Sequence, residues 1–249
     1  MDIDERIANL VSATAHGTPI EQELMRSGII AMGVAITGSA GTSAPPLVVL
    51  DTRRRAFFKR FCDQKPNLCR QYKQDRIEAV LNEVTAWRLA FATGDPWRQM
   101  LPTAVLRKIE NLGGALINEK PGRVNDPALA NVMGQVMAAG FWDGLIGNQD
   151  RNMRNYRYDA DSNSLGLIDH AFAFARPGDP FNASAFLAGR RLQAGATLAE
   201  RELEALEALL DSGDLHGLRD CLPTDRADAL EDRARRMMNT RLLPGLGAF

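Results

Sequence analysis

The chain has 249 residues, 45% of them hydrophobic and 24% charged, and thirty basic against thirty-one acidic side chains leave a formal net charge of −1. That composition excludes a disordered or low-complexity chain, and the balanced charge supplies no general field for nucleic acid or an anionic membrane. Cys62, Cys69 and Cys221 lack zinc-ligand spacing and read as reduced thiols, the start Met-Asp-Ile-Asp-Glu-Arg is acidic where a secretory signal is basic, and no apolar run approaches the ~18 residues of a membrane span; the expectation is a cytoplasmic protein.

Residues Asp4 to Arg26 carry apolar positions at mixed helical spacing, interrupted at His16-Gly17-Thr18-Pro19, and predict one or two short helices with no legible role. From Gly28 the run Ile29 to Ile36 predicts a strand, Thr37 to Pro46 a loop of small residues, and Leu47 to Leu50 a second strand. Arg55 to Phe61 predicts a third, whose period of two sets Phe57, Lys59 and Phe61 on one face and Phe58 and Arg60 on the other. Gln74 to Phe91 predicts an amphipathic helix ending near Thr93-Gly94, and Leu112 to Ile117 a buried strand closed by Glu119-Lys120-Pro121-Gly122. The remainder reads as mainly helical. Ala128 to Leu145 is an apolar helix, Tyr156-Arg157-Tyr158 and Leu165 to Ile168 a hairpin, and the stretches around Leu198 to Leu206 and Arg226 to Leu243 surface-charged helices. The expected fold class is α+β, with an N-terminal extension over 1–27, a β-rich lobe over 28–121 and a mainly helical lobe over 122–249.

The chemistry concentrates where the apolar helix ends. Gly147-Asn148-Gln149-Asp150-Arg151-Asn152-Met153-Arg154-Asn155 packs short amide and carboxylate side chains together, and Asp169 emerges from the apolar strand Leu165-Gly166-Leu167-Ile168. A loop of this kind can be turn chemistry alone. An Asp, an Asn five residues later and a second Asp after a strand also meet the needs of phosphoryl transfer: a carboxylate to orient the acceptor hydroxyl (Asp150), hard oxygen ligands for Mg²⁺ (Asn155 and Asp169) and a cation on the phosphates. Lys59 is the candidate cation and Glu83 its acidic partner, with Glu78 competing for that place and a solvated basic rim as the plain alternative for Lys59. Arg151 fits either a phosphate contact or a brace for the loop, and His170 a packed histidine beside the site.

The order and spacing resemble the atypical kinases related to phosphatidylinositol 3- and 4-kinases and to the bacterial HipA-type protein kinases. The loop from Gly147 to Asn155, the run Leu167-Ile168-Asp169-His170-Ala171-Phe172-Ala173-Phe174, the strand Phe57-Phe58-Lys59 and Leu81-Asn82-Glu83 carry the likeness. It implies a two-lobed, protein-kinase-like fold that uses ATP and Mg²⁺. It also implies phosphate contacts from the small-residue loop at Ser39 and Gly41, and adenine contacts from the backbone near Ile117 and Asn118. Protein Ser/Thr phosphorylation is the first expectation, with a lipid or small-molecule acceptor, a pseudokinase that binds a partner protein, and AMP transfer as alternatives.

Overall fold

The computed structural model describes residues 16–33, 45–63, 66–123, 127–179 and 184–245. Helix α1 (Pro19–Arg26) leads into strands β1 (Ile29–Met32), β2 (Leu47–Leu50) and β3 (Arg55–Arg60). Helices α2 (Pro66–Gln71), α3 (Arg76–Thr93) and α4 (Trp97–Met100) follow, then β4 (Ala104–Ile109) and β5 (Leu112–Asn118). The five strands form one antiparallel sheet in the order β1-β2-β3-β5-β4. Beyond it come α5 (Met133–Ile146), the hairpin β6 (Tyr156–Asp159) and β7 (Ser164–Leu167), and helices α6 (Ala185–Ala194), α7 (Glu200–Asp211) and α8 (Thr224–Thr240). A β-rich first part and a mainly helical second part are the α+β layout expected from the sequence.

Alternation along the strands divides the sheet into two faces. Val48, Leu50, Ala56, Phe58, Val105, Ile109 and Leu116 point one way and pack on Leu24 of α1. Ala104, Leu106, Ala115 and Ile117 point the other way into the main core, with Val80, Leu81, Val84 and Leu89 of α3 and Phe141, Trp142 and Leu145 of α5. Each fully buried Leu or Phe contributes about 1.5–3 kcal/mol to holding these layers together. Lys59, between Phe58 and Arg60, lies on the α3 side.

Asp75 caps α3 by accepting from the Glu78 N–H at 2.7 Å, and the Asp75 N–H donates in return to the Glu78 carboxylate. The sequence expectation of an amphipathic helix is corrected here. Ala79 to Trp87 are buried without a break, because α3 is enclosed by the sheet on one side and by α7 on another. Helix α1, without legible role in the sequence, braces α3 from outside. Its buried Glu21 closes a capping box with Thr18 and also accepts from the indole N–H of Trp87 at 3.0 Å. Trp87 stands one turn beyond Glu83 on the same helix, so α1 reaches the face that carries the candidate glutamate.

Candidate active site

Lys59 meets two carboxylates. Its Nζ lies 2.6 Å from Glu83 Oε1 and 2.7 Å from Asp169 Oδ1, the second pair joining residues 110 apart in the chain. The lysine reaches this point because β3 is central in the sheet and β5 approaches it closely. A Cβ on Gly114, which pairs with Arg60, would stand 2.5 Å from the Lys59 carbonyl oxygen, so only glycine fits against the lysine's backbone there. Burial disfavours the Lys59 charge, but the Asp169 and Glu83 carboxylates outweigh it and hold the ammonium above its ordinary pKa. Burial acts on Glu83 in the opposite direction, and Lys59 with His170 more than offset it, leaving the carboxyl well below its usual range. Glu78, the competing glutamate, caps α3 instead.

The segment after Asp169 is fastened to α3. The His170 N–H donates to Glu83 Oε2 at 3.0 Å, and the His170 ring is buried with Nδ1 3.5 Å from the same oxygen. Burial pushes the imidazole below its ordinary pKa, with Glu83 opposing the shift, so this histidine belongs to the packing around the pair. The buried Asn82 amide donates to the carbonyls of Ala171 at 2.8 Å and Ala173 at 3.2 Å. Asp169 has φ 58°, a left-handed conformation that Asp tolerates better than most residues. Its side chain stays 43% exposed, so a ligand can still reach the carboxylate.

The loop carrying Asp150 grows out of α5. Gly147 ends the helix at φ 58°, where a Cβ would meet Arg233 Cζ at 3.0 Å and Ala175 Cβ at 3.1 Å. Asp150 Oδ1 accepts from the Asn152 amide at 3.0 Å, and Oδ2 from the Asn155 amide at 3.3 Å. The Asn155 amide also donates to the Asp150 carbonyl at 2.6 Å. Burial raises the Asp150 pKa, the bonds from Asn152 and Asn155 oppose it, and the charge of Asp169 adds to the rise. Asp150 therefore shares one electrostatic environment with Asp169.

Arg151 is buried completely and acts as a brace. Its Nε bonds Asp143 of α5 at 3.2 and 3.3 Å, and its Nη1 donates to the carbonyls of Asn155 at 2.5 Å and Ile168 at 2.6 Å. One guanidinium thus ties the helix before the loop to the residues on which the candidate cation ligands stand. The expectation of a catalytic contact from Arg151 is corrected: a side chain with no exposure does not reach a substrate phosphate. Asp143, which sequence reading passed over as part of an apolar helix, also accepts from the Asn148 amide at 3.0 Å and the Ser184 hydroxyl at 2.7 Å.

The placement of Ile117 and Asn118 against adenine is corrected as well. Ile117 sits inside the sheet between Phe57 and Ala104, and the Asn118 N–H donates to the Thr103 carbonyl at 2.8 Å. The Asn118 side chain accepts from Arg54 at 3.2 Å. The chain leaves the ladder only after Glu119, whose N–H still donates to Arg55. Lys120 follows, its amine donating to the Gln99 carbonyl and lowered to about 8 by burial. Ser39 and Gly41 lie outside the described residues.

Lys59, Glu83, Asp150, Asn155 and Asp169 therefore come together from β3, α3, the loop after α5 and the exit of β7. Among the solved structures that resemble the chain are two kinases. The proinflammatory kinase CtkA of Helicobacter pylori matches at 11% identity with a TM-score of 0.44, over 87% of this chain and 93% of the other. The Rio2 kinase of Chaetomium thermophilum, solved as an ADP/Mg²⁺-phosphoaspartate complex, matches at 12% identity with a TM-score of 0.41, over 89% of this chain and 75% of the other. No protein-family model and no curated protein matches the chain. Both likenesses are distant; what this chain does rests on its own side chains.

The donor set fits Mg²⁺. One exposed carboxylate and one amide oxygen are the few protein ligands that this ion takes when water and phosphate oxygens complete its octahedron. Among the described residues no cluster of three or more His, Cys, Asp or Glu side chains forms the fuller cage that a structural metal requires. No helix among them is long and apolar enough to cross a membrane.

Proposed function

We propose that the chain is an ATP-dependent phosphotransferase. Lys59, held by Glu83, binds the α- and β-phosphates, Asn155 and Asp169 hold Mg²⁺, and Asp150 orients the acceptor hydroxyl. The observation that carries this reading is the single Lys59 ammonium 2.6 Å from Glu83 and 2.7 Å from Asp169. A strand lysine paired with a helix glutamate and set against a metal-binding aspartate is the combination that kinase-type transfer requires in place at once. Two acids share one cation here, and the arrival of phosphate oxygens gives that cation a third partner of the same sign as the acids. Asn155 and Asp169 would hold Mg²⁺ there, and the ion would supply neutralising charge for the phosphate oxygens.

The Asp150 carboxyl, raised by burial and by Asp169, accepts a proton more readily than an aspartate in water, which suits it to a hydroxyl that loses its proton during transfer. Adenine is assigned to the chain after the β5 ladder, from Glu119 to Pro121, between a nucleotide lobe over 28–121 and a catalytic lobe over 122–249. The motifs around Asp150 and Asp169 favour the branch related to phosphatidylinositol kinases and HipA-type kinases, and Ser or Thr of a protein as acceptor.

Incubation with Mg²⁺ and either γ-labelled or α-labelled ATP tests this reading. Label is expected from the γ position alone, on Ser or Thr of an acceptor protein. Label on a lipid or small molecule changes the acceptor class, and label from the α position means AMP transfer. No label from either nucleotide with any of these acceptors ends the phosphotransfer reading and leaves a nucleotide- or partner-binding pseudokinase.

A further inference from the structure

The last helix has the spacing of a solvated surface helix, yet two of its arginines are inside the protein. Arg226 is fully buried and Arg233 is 3% exposed. Seven residues apart on α8, they lie two turns apart on one face. The two guanidiniums donate mainly to carbonyls of segments that carry the site. Arg226 Nη1 donates to the Phe174 carbonyl at 2.6 Å and Nη2 to the Lys73 carbonyl at 3.1 Å, with Glu78 3.6 Å from Nη2. Arg233 Nε donates to the Leu145 carbonyl at 3.0 Å and Nη1 to the Ala175 carbonyl at 2.8 Å.

Each acceptor stands at a joint. Leu145 is in the last turn of α5, where carbonyls lack helical partners, two residues before Gly147 and the loop of Asp150. Phe174 and Ala175 end the segment that begins at Asp169. Lys73 lies just before Asp75, the cap of the helix that presents Glu83. Arg176 extends the set, with Nη1 donating to the Lys73 carbonyl at 2.5 Å and Nε 2.6 Å from Asp225 of α8. Burying two guanidiniums is costly where apolar side chains would fill the same space, and a lysine in their place could not hold two carbonyls in a fixed fork.

We propose that α8 is a clamp on the active site, with Arg226 and Arg233 as positioning residues that set the Asp150 loop, the Asp169 segment and the Glu83 helix relative to one another. The inference rests on the phosphotransfer reading for its consequence, but not for its geometry. Its effect reaches the chemistry through backbone, since neither arginine is exposed to substrate.

Arg226→Lys and Arg233→Lys, which keep the charge and lose the fork, test it by amide hydrogen exchange and steady-state kinetics on the full chain. The Arg226 variant is expected to exchange about tenfold faster at 73–78 and 170–176, and the Arg233 variant at 145–155 and 174–176, with β3 to β5 unchanged. Transfer is expected to fall by about 10- to 100-fold, with a raised KM for Mg·ATP. Arg235→Lys, on the exposed side of the same helix and paired with Glu231, is expected to change none of these. Unaltered exchange, or a uniform rise across the helical part with KM unchanged, overturns the clamp and leaves ordinary packing. If neither lysine variant folds, Arg176→Gln at the part-exposed end of the network decides by the same exchange pattern at 73–78. A wild-type chain that transfers no phosphate refutes the phosphotransfer reading, and the exchange data still decide the clamp.

Discussion

Asp169→Asn is expected to lower phosphotransfer by at least about 10³-fold while leaving the fold intact. The substitution keeps size and tolerance of the left-handed backbone at φ 58°, so the turn after β7 persists. What goes is the negative charge. The cation site loses its carboxylate, and Lys59 loses the acid 2.7 Å away, which leaves Glu83 alone to hold it. With Asp169 43% exposed, the ion pair is partly solvated, and its loss costs at most about 1 kcal/mol of stability. The check is the initial rate with γ-labelled ATP alongside thermal unfolding. Full activity, or lost activity with a lost fold, removes Asp169 from its assigned role.

The second large effect is on stability. Arg151→Met is expected to cost about 3–5 kcal/mol, because it strands a fully buried Asp143 carboxylate and takes the shared donor from the Asn155 and Ile168 carbonyls. Asn148 and Ser184 still donate to Asp143, but neither carries charge. For a chain of this length each kcal/mol moves the midpoint by about 2–4 °C, so a fall of roughly 6–20 °C is expected in a thermal melt. An unchanged midpoint would show that the brace is dispensable. Arg151→Lys is expected to fall between the two, since an ammonium restores charge but not the fork.

Much of the geometry around Lys59 was legible because it follows from local order. The alternation around Phe57, Lys59 and Phe61 placed the lysine on the correct face of β3, and the spacing of α3 brought Glu83 rather than Glu78 to it. The loop and the second aspartate were readable as side-chain types at fixed separations. What failed depends on partners distant in sequence. Strand β4 was passed over, since Arg107 and Lys108 interrupt its apolar run and the Arg107 guanidinium is occupied by the carbonyls of Leu24 and Ser27. Without β4, β5 looked like the last strand before a connection, which put Ile117 against adenine; with β4 on its other side, Ile117 is interior. Arg226 and Arg233 read as surface charge because nothing within α8 reveals that helix-end and loop carbonyls will meet them. The Asp143–Arg151 pair was half visible, in that Arg151 was a candidate brace while its acid was hidden in an apolar helix.

The central claim is that Lys59 and the acids around it form one site for Mg·nucleotide. Calorimetric titration of the wild-type chain and of Lys59→Ala with a non-hydrolysable ATP analogue, with and without Mg²⁺, tests it most directly. The wild type is predicted to bind at a single site, more tightly with Mg²⁺ present, and the variant at least about tenfold more weakly. Binding that is absent in the wild type, or equal in the two proteins, would contradict the account.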